Sequence, residues 1–346
     1  MRIGLIAPIS LPVPPPGYGG TERVVGWLAD GLVERGHEVE LFATGDGVTR
    51  AKLRHQLATS LERQGASRAA IEAAEAAHAA WALADARGLE LVHDHLKEAG
   101  VAAARHAPIP VVTTVHNAPS PARLACWRRH PEHPLVALSE SHRQLLGGQR
   151  VVGVVPNGLD LEEWPLGRSR GDYLLFLGRL DAPKGADVAA RLAAEADWPL
   201  IMAGRTSHAP RFFAEAVAPW LNGRRRRHIG EVGGATKREL LAGARALVFP
   251  IRWEEPFGLV MIEAMAAGTP VVATAWGAVP EVVAHGRTGW VVPREAGLAE
   301  LAEGVERVRT CAPEACRDHV AQHFTVARMV AGYVAVYEAL LAERAA

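Results

Sequence analysis

Short apolar runs alternate with longer helical patterns from the first residues almost to the last, and this rhythm narrows the fold more than any other feature of the chain. Residues 3–7 read as a buried strand, 21–36 as a helix and 38–43 as a second strand. Strands joined by crossover helices belong to a parallel sheet covered on both faces. Further strand-like runs fall at 89–95, 110–117, 134–140 and 151–158. The Ala-rich stretch 60–87 has the propensity for one long helix or two stacked ones. A charged, turn-rich segment, 159–172, interrupts the series, and a second begins beyond it, with strands at 173–178, 199–203, 227–229, 246–250, 270–273 and 290–292. The expected fold class is α/β, two doubly wound parallel-sheet domains in tandem, covering 1–162 and 163–325. A last helix, 326–346, has no strand after it, so its pattern alone allows packing on either domain.

Composition bounds the function. Among 346 residues, 38 basic side chains balance 38 acidic ones, which argues against a nucleic-acid binder working through a cationic surface. Cys126, Cys311 and Cys316 are odd in number and lack metal-knuckle spacing, so a reducing, cytoplasmic setting is expected. The apolar run at the start is too short for a signal peptide and reads as the first strand. No stretch of about 18 uninterrupted apolar residues predicts a membrane span; peripheral membrane contact stays open.

In open parallel sheets ligands sit beyond the carboxyl ends of the strands, so the residues after each strand carry the functional information. After the first strand, Gly17, Gly19 and Gly20 precede a helix expected to be capped by Thr21, with Glu22 in its first turn. Glycines there let backbone N–H groups approach an anion, although a flexible surface loop is the plain alternative. A nicotinamide fingerprint would place glycine where Glu22 stands, in a much tighter turn. His116 and Asn117 follow another strand, and His93 and His95 share one side of a third. The last two are candidate metal ligands without a third at ligand spacing, and structural histidines are the alternative.

In the second series, GRLDAPKG places Arg179 and Lys184 on one loop before a helix, where two cations and a helix N-terminus can neutralise a diphosphate; two solvated surface cations are the other reading. In EEPFGLVMIEAM, Glu255 and Glu263 stand eight residues apart, with Pro256 expected at the first helical position. On an ideal helix that spacing is about 12 Å along the axis. Glycosidase carboxylates lie about 5–9.5 Å apart, so the pair suits two ends of one long ligand better than hydrolysis. The N–H groups near Gly258, Leu259 and Val260 would face phosphate. Arg224 to Arg227 read as a solvated turn before a strand, and Trp127 with Arg128 and Arg129 as a loop, or a contact with an acceptor or membrane.

Taken in order, GYGGTERVV, VHN, VPNGLD, GRLDAPKG, the Glu255–Glu263 motif and GTPVVATAWGAVPEVVAHGRTGWVV resemble the family 4 glycosyltransferases of the GT-B fold, retaining and nucleotide-sugar dependent, over nearly the whole chain. The resemblance implies two Rossmann-like domains facing across a cleft, with the last helices crossing back to the first domain. It also implies that Arg179 and Lys184 stabilise a leaving diphosphate, Glu263 holds the ribose and Glu255 contacts donor-sugar hydroxyls. Gly19 and Gly20 would line the phosphate and acceptor side, His116 would touch the sugar near the reacting carbon, and Gly230, Glu231 and Val232 would flank the base. The expected donor is a UDP-sugar and the acceptor a small molecule or glycan, with no cofactor and no metal ion, in secondary-metabolite or cell-envelope glycosylation. A non-catalytic nucleotide-binding protein of the same fold is the alternative.

Overall fold

A computed structural model of the chain describes residues 1–96, 98–105, 107–167 and 171–345. The chain divides into two compact units, one formed by Met1–Gly158 together with Val326–Ala346 and the other by Leu159–Thr325. The break therefore falls after Gly158, four residues before the boundary expected from composition. Within the stretch read as the linker, Arg168, Ser169 and Arg170 lie outside the described residues.

The first unit is built on seven parallel strands: β1 (Arg2–Ile6), β2 (Glu38–Phe42), β3 (Lys52–Arg54), β4 (Leu91–Asp94), β5 (Val111–Thr114), β6 (Leu135–Ala137) and β7 (Val151–Val154). Their order is β3-β2-β1-β4-β5-β6-β7. In the second unit β8 (Leu174–Leu177), β9 (Leu200–Ala203), β10 (Arg226–His228), β11 (Ala246–Phe249), β12 (Val271–Thr274) and β13 (Gly289–Val292) lie in the order β10-β9-β8-β11-β12-β13. Each sheet grows outward from its first strand and then restarts on that strand's other side. The crevices between β1 and β4 and between β8 and β11 are the switch points where such sheets bind ligands.

The central strands are buried on both faces, as continuous apolar runs require. Strand β3 escaped the sequence reading because its three residues are Lys-Leu-Arg. It is a charged edge strand held by cross-strand ion pairs, with Lys52 Nζ 2.7 Å and Arg54 Nη1 2.9 Å from the two oxygens of Glu40 on β2. The Ala-rich stretch forms a single helix, Arg68–Asp85, which starts where the Ser67 hydroxyl accepts the Ala70 N–H. Of the arginine run, Arg225 and Arg226 pair with Asp197, and Arg226 already lies in β10. The C-terminal helix, Val326–Ala345, buries Met329, Val330, Tyr333 and Tyr337 within the first unit. No helix among the described residues is long and apolar enough to cross a membrane.

Candidate functional site

The second unit gathers its charges beyond the carboxyl ends of β8 and β11. After β8 the chain turns through Arg179 to Gly185 into the helix Ala186–Glu195, and Asp181 organises that turn. Its carboxylate accepts the Lys184 backbone N–H at 3.1 Å and Arg179 Nε at 2.7 Å. Gly185 is left-handed, with φ of 71°, and an added Cβ would strike the Pro250 carbonyl, so this turn admits only glycine. The Lys184 ammonium pairs with the Glu255 carboxylate on the loop after β11. It also lies 4.9 Å from the centre of the Trp253 ring and 5.3 Å from that of Phe249. Trp253 Nε1 donates to the same Glu255 carboxylate at 2.9 Å. Glu255 is only 7% exposed, so pairing is what makes its charge tolerable there.

Glu263 behaves similarly one helix further on. It is buried in the helix Leu259–Ala266, and Lys237 Nζ, from the helix Gly234–Gly243, meets it at 2.6 Å. The helix begins after Gly258, whose φ is 83°, so Glu255 and Pro256 stand before it. Pro256 is therefore not at the first helical position, and the ideal-helix spacing expected between the two glutamates does not apply. Leu259 and Val260 open the helix and offer its first N–H groups. Gly230 and Val232 flank Glu231 beyond β10, and Glu231 pairs with Arg205 at 2.5 Å instead of joining either lysine. Lys237 and Trp253 were missed because helix-to-helix and ring-to-carboxylate contacts leave no local spacing signal.

In the first unit, the ends of β1, β4 and β5 surround a pocket of about 180 Å³ lined by Gly19, Gly20, Glu22, His95 and His116, among others. The helix after the glycines runs Gly20–Glu34 with Gly19 at its N-cap, so Thr21 lies inside the first turn and does not cap it. Gly19 has φ of 132°, and a Cβ there would collide with Leu11 and Pro15, which explains the glycine. His116 Nε2 and His95 Nδ1 lie 2.9 Å apart, and the His95 ring packs 4.0 Å from that of His93. Burial, followed by neighbouring imidazoles, holds all three well below the ordinary histidine range, so they are neutral near pH 7. Both His93 nitrogens are already engaged, by Tyr337 Oη and Thr114 Oγ1, each at 2.7 Å. No three His, Cys, Asp or Glu side chains among the described residues are placed to hold a metal ion.

Asp94 lies behind the pocket, fully buried, and burial pushes its carboxyl up to about 8 against the opposing hydrogen bonds from Leu96 N–H and Thr113 Oγ1. Trp127, read as an ordinary loop residue or else a contact with an acceptor or a membrane surface, ends the helix Pro121–Trp127 and is 2% exposed. It lines the pocket from inside, so it is not a surface side chain.

Comparison with known proteins agrees with this fold. Residues 18–163 match the family model described as Glycosyltransferase Family 4, and residues 171–310 match the one described as Glycosyl transferases group 1. A phosphatidyl-myo-inositol mannosyltransferase of Mycolicibacterium smegmatis is 32% identical over 326 residues, covering 85% of this chain and 81% of that protein. The structure of a glycosyltransferase involved in avilamycin A biosynthesis superimposes with a TM-score of 0.76 at 26% identity, over 99% of both chains. That of Anabaena HepE in complex with UDP-glucose does so with a TM-score of 0.75 at 19% identity, over 98% of this chain and 99% of that one. With two Rossmann-ordered sheets and family models spanning both units, the chain belongs to the family 4 glycosyltransferases of the GT-B fold, and it is a glycosyltransferase.

Proposed function

We infer that the enzyme moves a sugar from a nucleoside diphosphate sugar, UDP-linked by preference, to a hydroxyl acceptor with retention of anomeric configuration and without a metal ion. The observation that carries this reading is the Arg179–Lys184 turn at the β8/β11 switch point, where Asp181, Glu255 and Trp253 hold two cations beside a helix N-terminus. Such an array suits a departing diphosphate. Arg offers a fork of N–H groups, Lys a point charge, and both are fixed before the reaction begins. In the absence of donor, Glu255 compensates the Lys184 charge; when diphosphate arrives, Glu255 turns to the sugar hydroxyls. Glu263, oriented by Lys237, accepts from the ribose, the N–H groups at Gly258 to Val260 face phosphate, and Gly230 to Val232 flank the base.

Stabilising the diphosphate lowers the barrier to an oxocarbenium-like transition state. The acceptor hydroxyl then attacks from the face the diphosphate leaves, and a diphosphate oxygen takes its proton, so no separate protein base is required. Gly19 and Gly20 shape the acceptor side. His116, neutral and hydrogen-bonded to His95, presents a polar edge to the sugar without adding charge. The test is nuclear magnetic resonance of the product formed from an α-linked UDP-sugar in the presence of chelator. An α-linked product is expected; a β-linked product, or strict dependence on added metal, contradicts the reading.

A further inference from the structure

Three loops of the second unit meet around Glu255, and one guanidinium ties them together. Arg294 stands two residues beyond β13. Its Nε donates to the Ala275 carbonyl, beyond β12, at 3.0 Å. Its Nη1 and Nη2 take the two carboxylate oxygens of Glu254, beyond β11, at 2.8 and 3.2 Å. The guanidinium also lies 4.5 Å from the centre of the Trp276 ring, a contact that holds the fork in place. Glu254 accepts the Gly277 N–H at 2.9 Å, and the Ala278 N–H donates to the Glu255 carbonyl at 2.8 Å. Gly277 is left-handed, with φ of 56°, and an added Cβ would strike the Glu255 backbone, so the two loops are in close contact at this point.

As an ion pair this clasp contributes little. The Arg294 and Glu254 side chains are 41% and 26% exposed, and pairs so open to water add little to stability. Yet all three guanidinium nitrogens are committed, to two different loops. What the clasp sets is the place of the next residue. Lys184 Nζ and Trp253 Nε1 both meet Glu255 at Oε2, and Oε1 makes no hydrogen bond among the described residues. That oxygen is therefore left to accept from a ligand. Arg294 touches neither Lys184 nor the Glu255 carboxylate, so its influence on Oε1 runs through the backbone that Glu254, Gly277 and Ala278 hold. Displacing a binding group by about 1 Å is enough to lose its contact.

We propose that Arg294 and Glu254 are positioning residues for the donor sugar: by fastening the loop after β12 to the loop after β11, they place Glu255 Oε1 where it accepts a hydrogen bond from a sugar hydroxyl. The inference rests on the reading of Glu255 as the donor-sugar contact, and it adds that Arg294 acts on the sugar through Glu255 alone.

The experiment is isothermal titration of the full chain with UDP and with UDP-glucose, for the wild type, Arg294→Ala, Glu254→Gln, Glu255→Gln and the double variant Arg294→Ala/Glu255→Gln. The readout is the ratio of the UDP-glucose affinity to the UDP affinity, in which effects at the diphosphate or on folding cancel. Arg294→Ala and Glu255→Gln are each expected to lower this ratio about tenfold, as loss of one hydrogen bond to a charged group does, and Glu254→Gln to lower it in the same direction. The double variant is expected to fall no further than Glu255→Gln alone, a non-additivity that a general loosening of the fold would not produce. A ratio lowered by Glu255→Gln but unchanged by Arg294→Ala and Glu254→Gln overturns this inference alone, and so does a double variant whose losses add. A ratio that Glu255→Gln leaves at the wild-type value removes the sugar contact itself, and the inference falls with it. Binding of neither UDP nor UDP-glucose to the wild type removes the donor reading and this inference together.

Discussion

Glu255 is buried against the half-buried Lys184, and its charge is tolerable there because it is paired. Replacing Lys184 with alanine removes the point charge that would meet the diphosphate. It is expected to lower kcat by on the order of 10²–10³, as loss of one preorganised transition-state donor does. The same change leaves Glu255 with the Trp253 N–H as its described partner and should destabilise the protein by about 1–3 kcal/mol, read from denaturant midpoints. Trp253→Phe separates the two roles of that residue: it keeps an aromatic face beside Lys184 and loses the N–H. A loss of about tenfold in kcat/KM is expected, since hydrogen bonds to charged groups are worth roughly 1.5–3 kcal/mol; unchanged kinetics would mean that the carboxylate needs no tether. Arg179, Lys184 and Glu255 stood out in the sequence because they follow strands, and Glu263 because it stands eight residues beyond Glu255 in the same motif. Trp253, Lys237 and Asp94 did not, because each acquires its importance from a neighbour distant along the chain.

At the scale of elements, the two sheets were legible because buried parallel strands are continuous apolar runs, and most fell within a residue or two of their expected limits. Strand β3 was not legible, since its stability comes from Glu40 on the adjacent strand. Helix starts were also poorly placed. The Gly20–Glu34 and Leu259–Ala266 helices begin after glycines with positive φ and have no side-chain cap, so the usual Ser, Thr or Asp signal is missing. Gly258→Ala tests this feature directly. A Cβ there meets Met261 Cε at 2.6 Å, and the left-handed backbone penalises alanine by roughly 1–2 kcal/mol. Lower thermal stability and weaker nucleotide binding are both expected, and a fully wild-type response to nucleotide would separate this helix start from the phosphate.

The C-terminal helix provides a second test at this scale. Tyr337 Oη is bonded to buried His93, and Gly31 leaves room for Val330, a Cβ there coming within 2.7 Å of it. Tyr337→Phe strands a buried imidazole nitrogen and should cost about 1–3 kcal/mol in chemical denaturation. A change below about 0.5 kcal/mol would show that the helix is not anchored through that bond.

Across the whole molecule, the titratable burden is unequal. In the first unit, burial depresses His93 and His95 far below 6.5, takes His116 to about 3 and His133 and His142 to about 4, and lowers His37 and His78; in the second unit His319 is lowered. An imidazole held neutral in the folded state takes up no proton when the unfolded chain does. Stability is therefore full above 6.5 and declines as pH falls from 6.5 toward the folded values, by up to about 1.4 kcal/mol per unit for each group. Asp94 and Glu22, with raised values, act in the opposite sense: their contribution is greatest at low pH and is lost as pH rises, for Asp94 from 3.8 toward about 8. The lowered histidines of the first unit outnumber its two raised carboxyls. Hydrogen exchange followed from pH 7 to 4.5 is expected to show β1, β4 and β5 losing protection before β8 and β11, and the reverse order would contradict this balance.

The central claim is that the Arg179–Lys184 turn of the second unit binds a nucleoside diphosphate without metal. Thermal unfolding of the wild type and of Lys184→Ala with excess UDP, GDP or ADP, each with and without chelator, tests it most directly. A ligand at 100 times its dissociation constant adds about 2.7 kcal/mol. The account predicts stabilisation of the wild type by UDP, indifferent to chelator and lost in the variant. Stabilisation by none of the three, or stabilisation that survives Lys184→Ala undiminished, would contradict it.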